Sequence, residues 1–123
     1  DWMIPAPAQG AMVVVSMQND AFCTEAVGKL NHRNTAICTQ VERDFFKFLE
    51  GGCTAPIGAH AQIDGNTIRF EGVLCSVDGS ARVHIEKTAT IDQYHHFGRD
   101  CAEAVLADGG QAVMEQIRKD LNP

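Results

Sequence analysis

The chain has 123 residues, 45% hydrophobic and 21% charged, with 16 acidic against 10 basic side chains and a formal net charge of −6. That length sets an expectation of one domain with its own core, and that composition excludes a disordered chain. The charge argues against nucleic acid and anionic membrane as partners, and no apolar run approaches the roughly 20 residues of a membrane helix.

The N-terminus is acidic and lacks the basic segment that opens a secretory signal. Residue 1 is Asp, and Trp2-Met3-Ile4-Pro5 reads as the interior of a longer protein. Residues 4–10, IPAPAQG, form a connector, because each proline drives the residue before it into an extended conformation. Residues 11–17, AMVVVSM, are short, β-branched and bounded by turn signals, which predicts a buried strand. Asn19-Asp20 offers an N-cap for a helix over 20–30, with Phe22, Cys23, Ala26, Val27 and Leu30 at helical spacing. A strand and helix with no partners of their own are expected to be a remnant of another domain.

A second helix is expected from Asn34 or Thr35, with Ile37, Cys38, Val41, Phe45, Phe48 and Leu49 as its apolar stripe. Glu42, Arg43, Asp44 and Lys47 form its polar side, and Gly51-Gly52 ends it. Three alternating segments follow, at 57–63, 67–74 and 81–87, with turn signals at Asp64-Gly65 and Asp78-Gly79. They predict a three-stranded antiparallel meander with Ile68, Phe70, Val83 and Ile85 on its buried face. Helices over 92–107 and 110–121, separated at Gly109-Gly110, supply cover. The expected fold is α+β: a three-stranded antiparallel sheet covered on one face by helices, preceded by the strand–helix remnant.

The five cysteines, Cys23, Cys38, Cys53, Cys75 and Cys101, are odd in number and form no C-x-x-C pair. Neither a disulfide framework nor a zinc site is expected, and a reducing, cytoplasmic setting follows. His60, His84, His95 and His96 read as surface or half-buried imidazoles, so no metal is expected. Cys53 differs from the other thiols in its setting, Leu49-Glu50-Gly51-Gly52-Cys53-Thr54-Ala55-Pro56-Ile57-Gly58. It lies just past a helix end, after two glycines and before a proline. The residues alone leave two readings open there, a buried small hydrophobe in a tight connection and an accessible nucleophile.

That ten-residue stretch resembles the L-E-G-G-C-x-x-P-I-G pattern of porphobilinogen deaminase, also called hydroxymethylbilane synthase. Leu30, Asn31, His32, Thr35, Glu42 and Arg43 match the family's upstream L-N-H…T…E-R, and Pro5-Ala6 with Gln9-Gly10 match its P-A-x-x-Q-G-A. Where the family usually has glycine before Gln-Gly, this chain has Ala8. The strand after that motif departs too, reading Val13-Val14-Val15-Ser16.

The resemblance implies the C-terminal domain of a three-domain transferase of heme biosynthesis. That enzyme condenses four porphobilinogen molecules into hydroxymethylbilane and releases ammonia. It implies a dipyrromethane cofactor joined to Cys53 by a thioether, with Gly51 and Gly52 leaving room for the pyrrole. Residues 1–30 would be hinge, strand and helix of the N-terminal catalytic domains, and 31–123 the cofactor-carrying domain. The implied partners are porphobilinogen, the growing polypyrrole and the missing N-terminal domains. The family is monomeric, and residues 1–30 are available to pair with another copy of the fragment.

No catalytic residue is expected in this fragment, because the cations needed for a polycarboxylate product are outnumbered here. The fragment alone is therefore expected to be inactive and to carry no cofactor. Glu42 and Arg43 read either as a family pair supporting domain contacts or as a solvated helix face. The competing class is a non-enzymatic α+β interaction module in which 49–58 is only a turn. A cysteine hydrolase would need His60 or His84 as base, and neither has an evident orienting group.

Overall fold

A computed structural model of the chain describes residues 3–49 and 55–122. Two helices come first, α1 (Ala21–Gly28) and α2 (Arg33–Phe48). The strands β1 (Ile57–Asp64), β2 (Thr67–Cys75) and β3 (Arg82–Thr90) follow. A 3₁₀ turn (Ile91–Gln93) then leads into α3 (Tyr94–Val105), and α4 (Gln111–Leu121) ends the fold.

The strands pair antiparallel in the order β1-β2-β3, with Ala59 opposite Gly72 and Gly72 opposite Ile85. This is the meander that the alternation predicts. The last pair of the first hairpin is Asp64–Thr67, so Gly65-Asn66 forms the loop, and Gly65 takes the left-handed φ of 58° that a two-residue hairpin asks of it. The second turn is tied by Asp78. Its Oδ1 accepts from Ser76 Oγ at 2.7 Å, Ser80 N at 3.0 Å and Ser80 Oγ at 2.7 Å. Those bonds favour the ionised carboxylate and hold its pKa down at about 2.

Helices α2, α3 and α4 bury their apolar stripes against one face of the sheet. Val41, Phe45 and Leu49 of the α2 region meet Ile68, Phe70 and Leu74 of β2, with Phe97, Cys101 and Val105 of α3 completing the layer. Phe45 and Phe70 pack with centroids 4.9 Å apart and ring planes tilted by 59°, and Phe70 meets Phe97 edge-on at 6.2 Å. Glycine lets this layer close at two points. A Cβ on Gly72 would lie 2.8 Å from the Phe45 ring, and one on Gly98 would lie 2.3 Å from the Val41 carbonyl oxygen, where α3 crosses α2. Val83 is buried as expected, while Ile85 is only half-buried.

The first thirty residues differ from expectation. Residues 11–17 are not a strand: they have no regular structure, and Met12, Val13, Val14, Val15 and Met17 are all exposed. A strand exists only through a neighbour's hydrogen bonds, and this segment pairs with no other strand among the described residues. Asp20 does cap α1, its carboxylate accepting from Cys23 N at 2.9 Å, but the helix ends at Gly28 and buries none of its stripe. Two other boundaries move. His32, not Asn34 or Thr35, caps α2, with Nδ1 accepting from Thr35 N at 3.3 Å. The helix expected over 92–107 is α-helical from Tyr94 to Val105 and runs on as a wider, π-type turn from Leu106, and the expected break comes at Asp108 (φ −91°, ψ 31°) and Gly109 (φ 96°), before α4.

Candidate functional site

The motif carrying Cys53 joins α2 to β1. Both of its stems are fixed. Leu49 closes α2 and is buried, its N–H donating to the Phe45 carbonyl at 3.1 Å. On the far side Ile57 is buried at the start of β1, and the Pro56 carbonyl accepts from Cys75 N at 3.0 Å, extending the β1–β2 ladder by one rung. Glu50, Gly51, Gly52, Cys53 and Thr54 lie outside the described residues. The expected roles of Cys53, Gly51 and Gly52 therefore rest on sequence.

Cys23, Cys38, Cys75 and Cys101 are free thiols, and the surroundings of three of them favour the protonated form. Burial pushes the Cys101 thiol up to about 12, and Cys38 is raised by burial and by the nearby Glu42 carboxylate. Cys23 is raised by its hydrogen bond to the Asp20 carboxylate. All three shifts favour the thiol over the nucleophilic thiolate.

Beside the last turn of α2 lies an open groove of about 470 Å³ lined by Asp44, Lys47, Phe48, His95, His96 and Arg99. Two of its basic side chains have partners of their own. Arg99 sits over the Phe48 ring at 5.1 Å and donates to Glu103 at 3.1 Å, while His96 pairs with Asp100 at 2.8 Å. No group of three or more potential metal ligands comes together among the described residues. Two other histidines stand beside carboxylates elsewhere, His84 on Glu71 at 2.9 Å and His60 at 3.9 Å from Glu42.

Residues 36–107, more than half of the chain, match the sequence profile described as porphobilinogen deaminase, C-terminal domain. The chain belongs to the porphobilinogen deaminase family. Porphobilinogen deaminases from Pelobacter propionicus and Carboxydothermus hydrogenoformans are 35% and 36% identical to it, over 95% and 99% of this chain but 38% and 39% of their own length. The one from Chlorobium chlorochromatii is 37% identical over 97% of the chain and 39% of its own. The chain thus spans about two-fifths of these curated relatives.

Two positions in this porphobilinogen deaminase domain behave differently from their sequence reading. Glu42 is not on a solvated face: it is buried, and its carboxylate accepts from Ala8 N at 2.6 Å and from Ala61 N at 2.7 Å. The signal was present, since Glu42 is four residues from Cys38 and Phe46 and three from Phe45, within the apolar stripe itself. Its neighbour Arg43 is exposed. Ala8 takes φ 59°, the left-handed region that favours glycine. That conformation gives a backbone reason for the glycine the family usually carries there.

Proposed function

We propose that this chain is the primer-carrying domain of a porphobilinogen deaminase, with Cys53 as the attachment point. The observation that carries this reading is the family match over residues 36–107, which encloses the whole Leu49–Gly58 motif between a buried helix end and a buried strand start. Loss of ammonia from porphobilinogen leaves an electron-poor methylene carbon, for which a soft thiolate is a suitable nucleophile, and the carbon–sulfur bond formed is durable. Dipyrromethane, when bound, supplies the pyrrole carbon to which further units are added. Gly51 and Gly52 carry no side chain to obstruct a flat ring beside the backbone. The raised pKa values of Cys23, Cys38 and Cys101 support Cys53 as the reacting thiol by making those three poorer competitors.

In the same reading residues 31–123 are the primer domain, and 1–30 link it to the domains that hold the catalytic cleft. The whole enzyme condenses four porphobilinogen units into hydroxymethylbilane in the cytoplasm. Each condensation needs a proton donor and cations for the acetate and propionate groups. With 16 acidic and 10 basic side chains, this chain does not supply that field. The purified chain, incubated with porphobilinogen, is expected to release no ammonia and to gain no mass. Sustained ammonia release would show that the cleft is here after all.

A further inference from the structure

Sheet edges expose alternate N–H groups, and β1 is an edge strand whose Ala59 and Ala61 amides point away from β2. Both are occupied, by groups from different parts of the chain. The Ala59 N–H donates to the Pro5 carbonyl at 2.9 Å, and the Ala61 N–H donates to Glu42 Oε1 at 2.7 Å. The other oxygen of the same carboxylate receives the Ala8 N–H at 2.6 Å. Ile4 rests over Gly58, where an added Cβ would lie 2.9 Å from the Ile4 carbonyl oxygen and 2.8 Å from Val73 Cγ1. Residues 4–8 therefore pass round the β1 edge as a strap, touching the sheet at Gly58, the edge at Ala59 and helix α2 at Glu42.

We propose that Glu42 is a positioning residue. Its carboxylate stands in for one rung of a missing edge strand and locks the connector to α2 and β1, so that all three move as one body. Both bonds are short and charge-assisted, and the group is buried, so neither amide can exchange it cheaply for water. Ala8 holds a left-handed backbone against its own preference, which fits a segment kept in place by external bonds. Helix α2 carries the backbone from Glu42 to its end at Phe48, five residues before Cys53 in the sequence. The functional consequence rests on the reading of Cys53 as primer anchor: the primer domain does not swing at 4–8, and any pivot lies further along, between residue 9 and the start of α2 at Arg33.

The test is residue-resolved amide exchange on the whole 123-residue chain, which needs no primer and so fails or succeeds independently of the Cys53 reading. In Glu42→Gln, which replaces one acceptor oxygen by a donor, one of the Ala8 and Ala61 amides loses its acceptor and is expected to exchange at least ten-fold faster while Leu74 and Val105 keep wild-type rates. Unchanged exchange at both Ala8 and Ala61, or acceleration of Leu74 and Val105 with them, overturns the proposal. Gly58→Ala, which leaves Glu42 intact and displaces Ile4, decides independently if Glu42→Gln does not fold. Ala59 is expected to open while Ala8 stays protected, held by Glu42 alone. Opening of both amides in Gly58→Ala shows that Glu42 is not the lock.

Discussion

Gly98 is where the helix that ends at the Leu49–Gly58 motif meets the helix behind it, and Gly98→Ala tests that packing directly. The added Cβ would lie 2.3 Å from Val41 O, 2.9 Å from Asp44 Cβ and 3.0 Å from Phe45 N. Two of those three atoms are backbone, so no side chain can rotate to relieve them, and α2 and α3 must part by about 1 Å to restore normal contact distances. Overpacking of this kind costs about 1–3 kcal/mol, and a rigid backbone puts this case near the upper end. Alanine recovers about 1 kcal/mol through its better helix propensity. The net loss is about 2 kcal/mol, which lowers the melting temperature of a domain this size by roughly 10 °C. Thermal unfolding followed by circular dichroism reads it. Gly28→Ala is the control, because a Cβ there meets nothing within 4 Å; it should cause no loss of stability, and helix propensity should give a gain of up to about 1 kcal/mol. If Gly98→Ala melts with the wild type, the close crossing of α2 and α3 is wrong.

Three further outcomes follow from the same reasoning. Ala8→Gly should stabilise the chain by up to about 1 kcal/mol in urea unfolding, since glycine adopts φ 59° without the penalty alanine meets, offset in part by its greater unfolded-state entropy. Asp78 titrates at about 2 in the fold against about 3.9 unfolded, so its contribution is complete above pH 4 and is lost as pH falls through 2. Carboxyl NMR should show that low midpoint, and Asp78→Ala should flatten the stability curve between pH 4 and 2. Cys101→Ser should destabilise by about 1–3 kcal/mol, because a hydroxyl would be buried at a fully enclosed site. The wild-type Cys101 thiol should resist alkylation until the chain unfolds.

The sheet and its helical cover were legible because their signals are local. Alternation marked Ile57–Ile63, Ile68–Leu74 and Val83–Ile85, and the turns carried their own residues in Gly65 and the Asp78-Gly79 pair. The segment 11–17 misled for a physical reason. Val13-Val14-Val15 states a propensity for extended backbone, but a strand also needs a partner, which propensity does not provide. Glu42 was misread because its charge was weighed and its position in the stripe was not. A buried carboxylate is invisible in a hydropathy pattern until the amides it serves are known, and Ala8 is 34 residues away. The departure at Ala8 was visible as a missing glycine, and only the backbone angle shows why it matters. The Leu49–Gly58 motif was the reverse case, identified from its residues, with the fold contributing the fixed stems on either side.

Attachment of the primer at Cys53 is decided by mass analysis of a chimera. The region of Pelobacter propionicus porphobilinogen deaminase that aligns with this chain over 117 residues would be replaced by the chain itself, and the purified protein digested for peptide mapping. One adduct of two pyrrole units is expected on the peptide containing Cys53, absent from the Cys53→Ser version. An adduct of the same mass on Cys23, Cys38, Cys75 or Cys101, or one that survives Cys53→Ser, would contradict it.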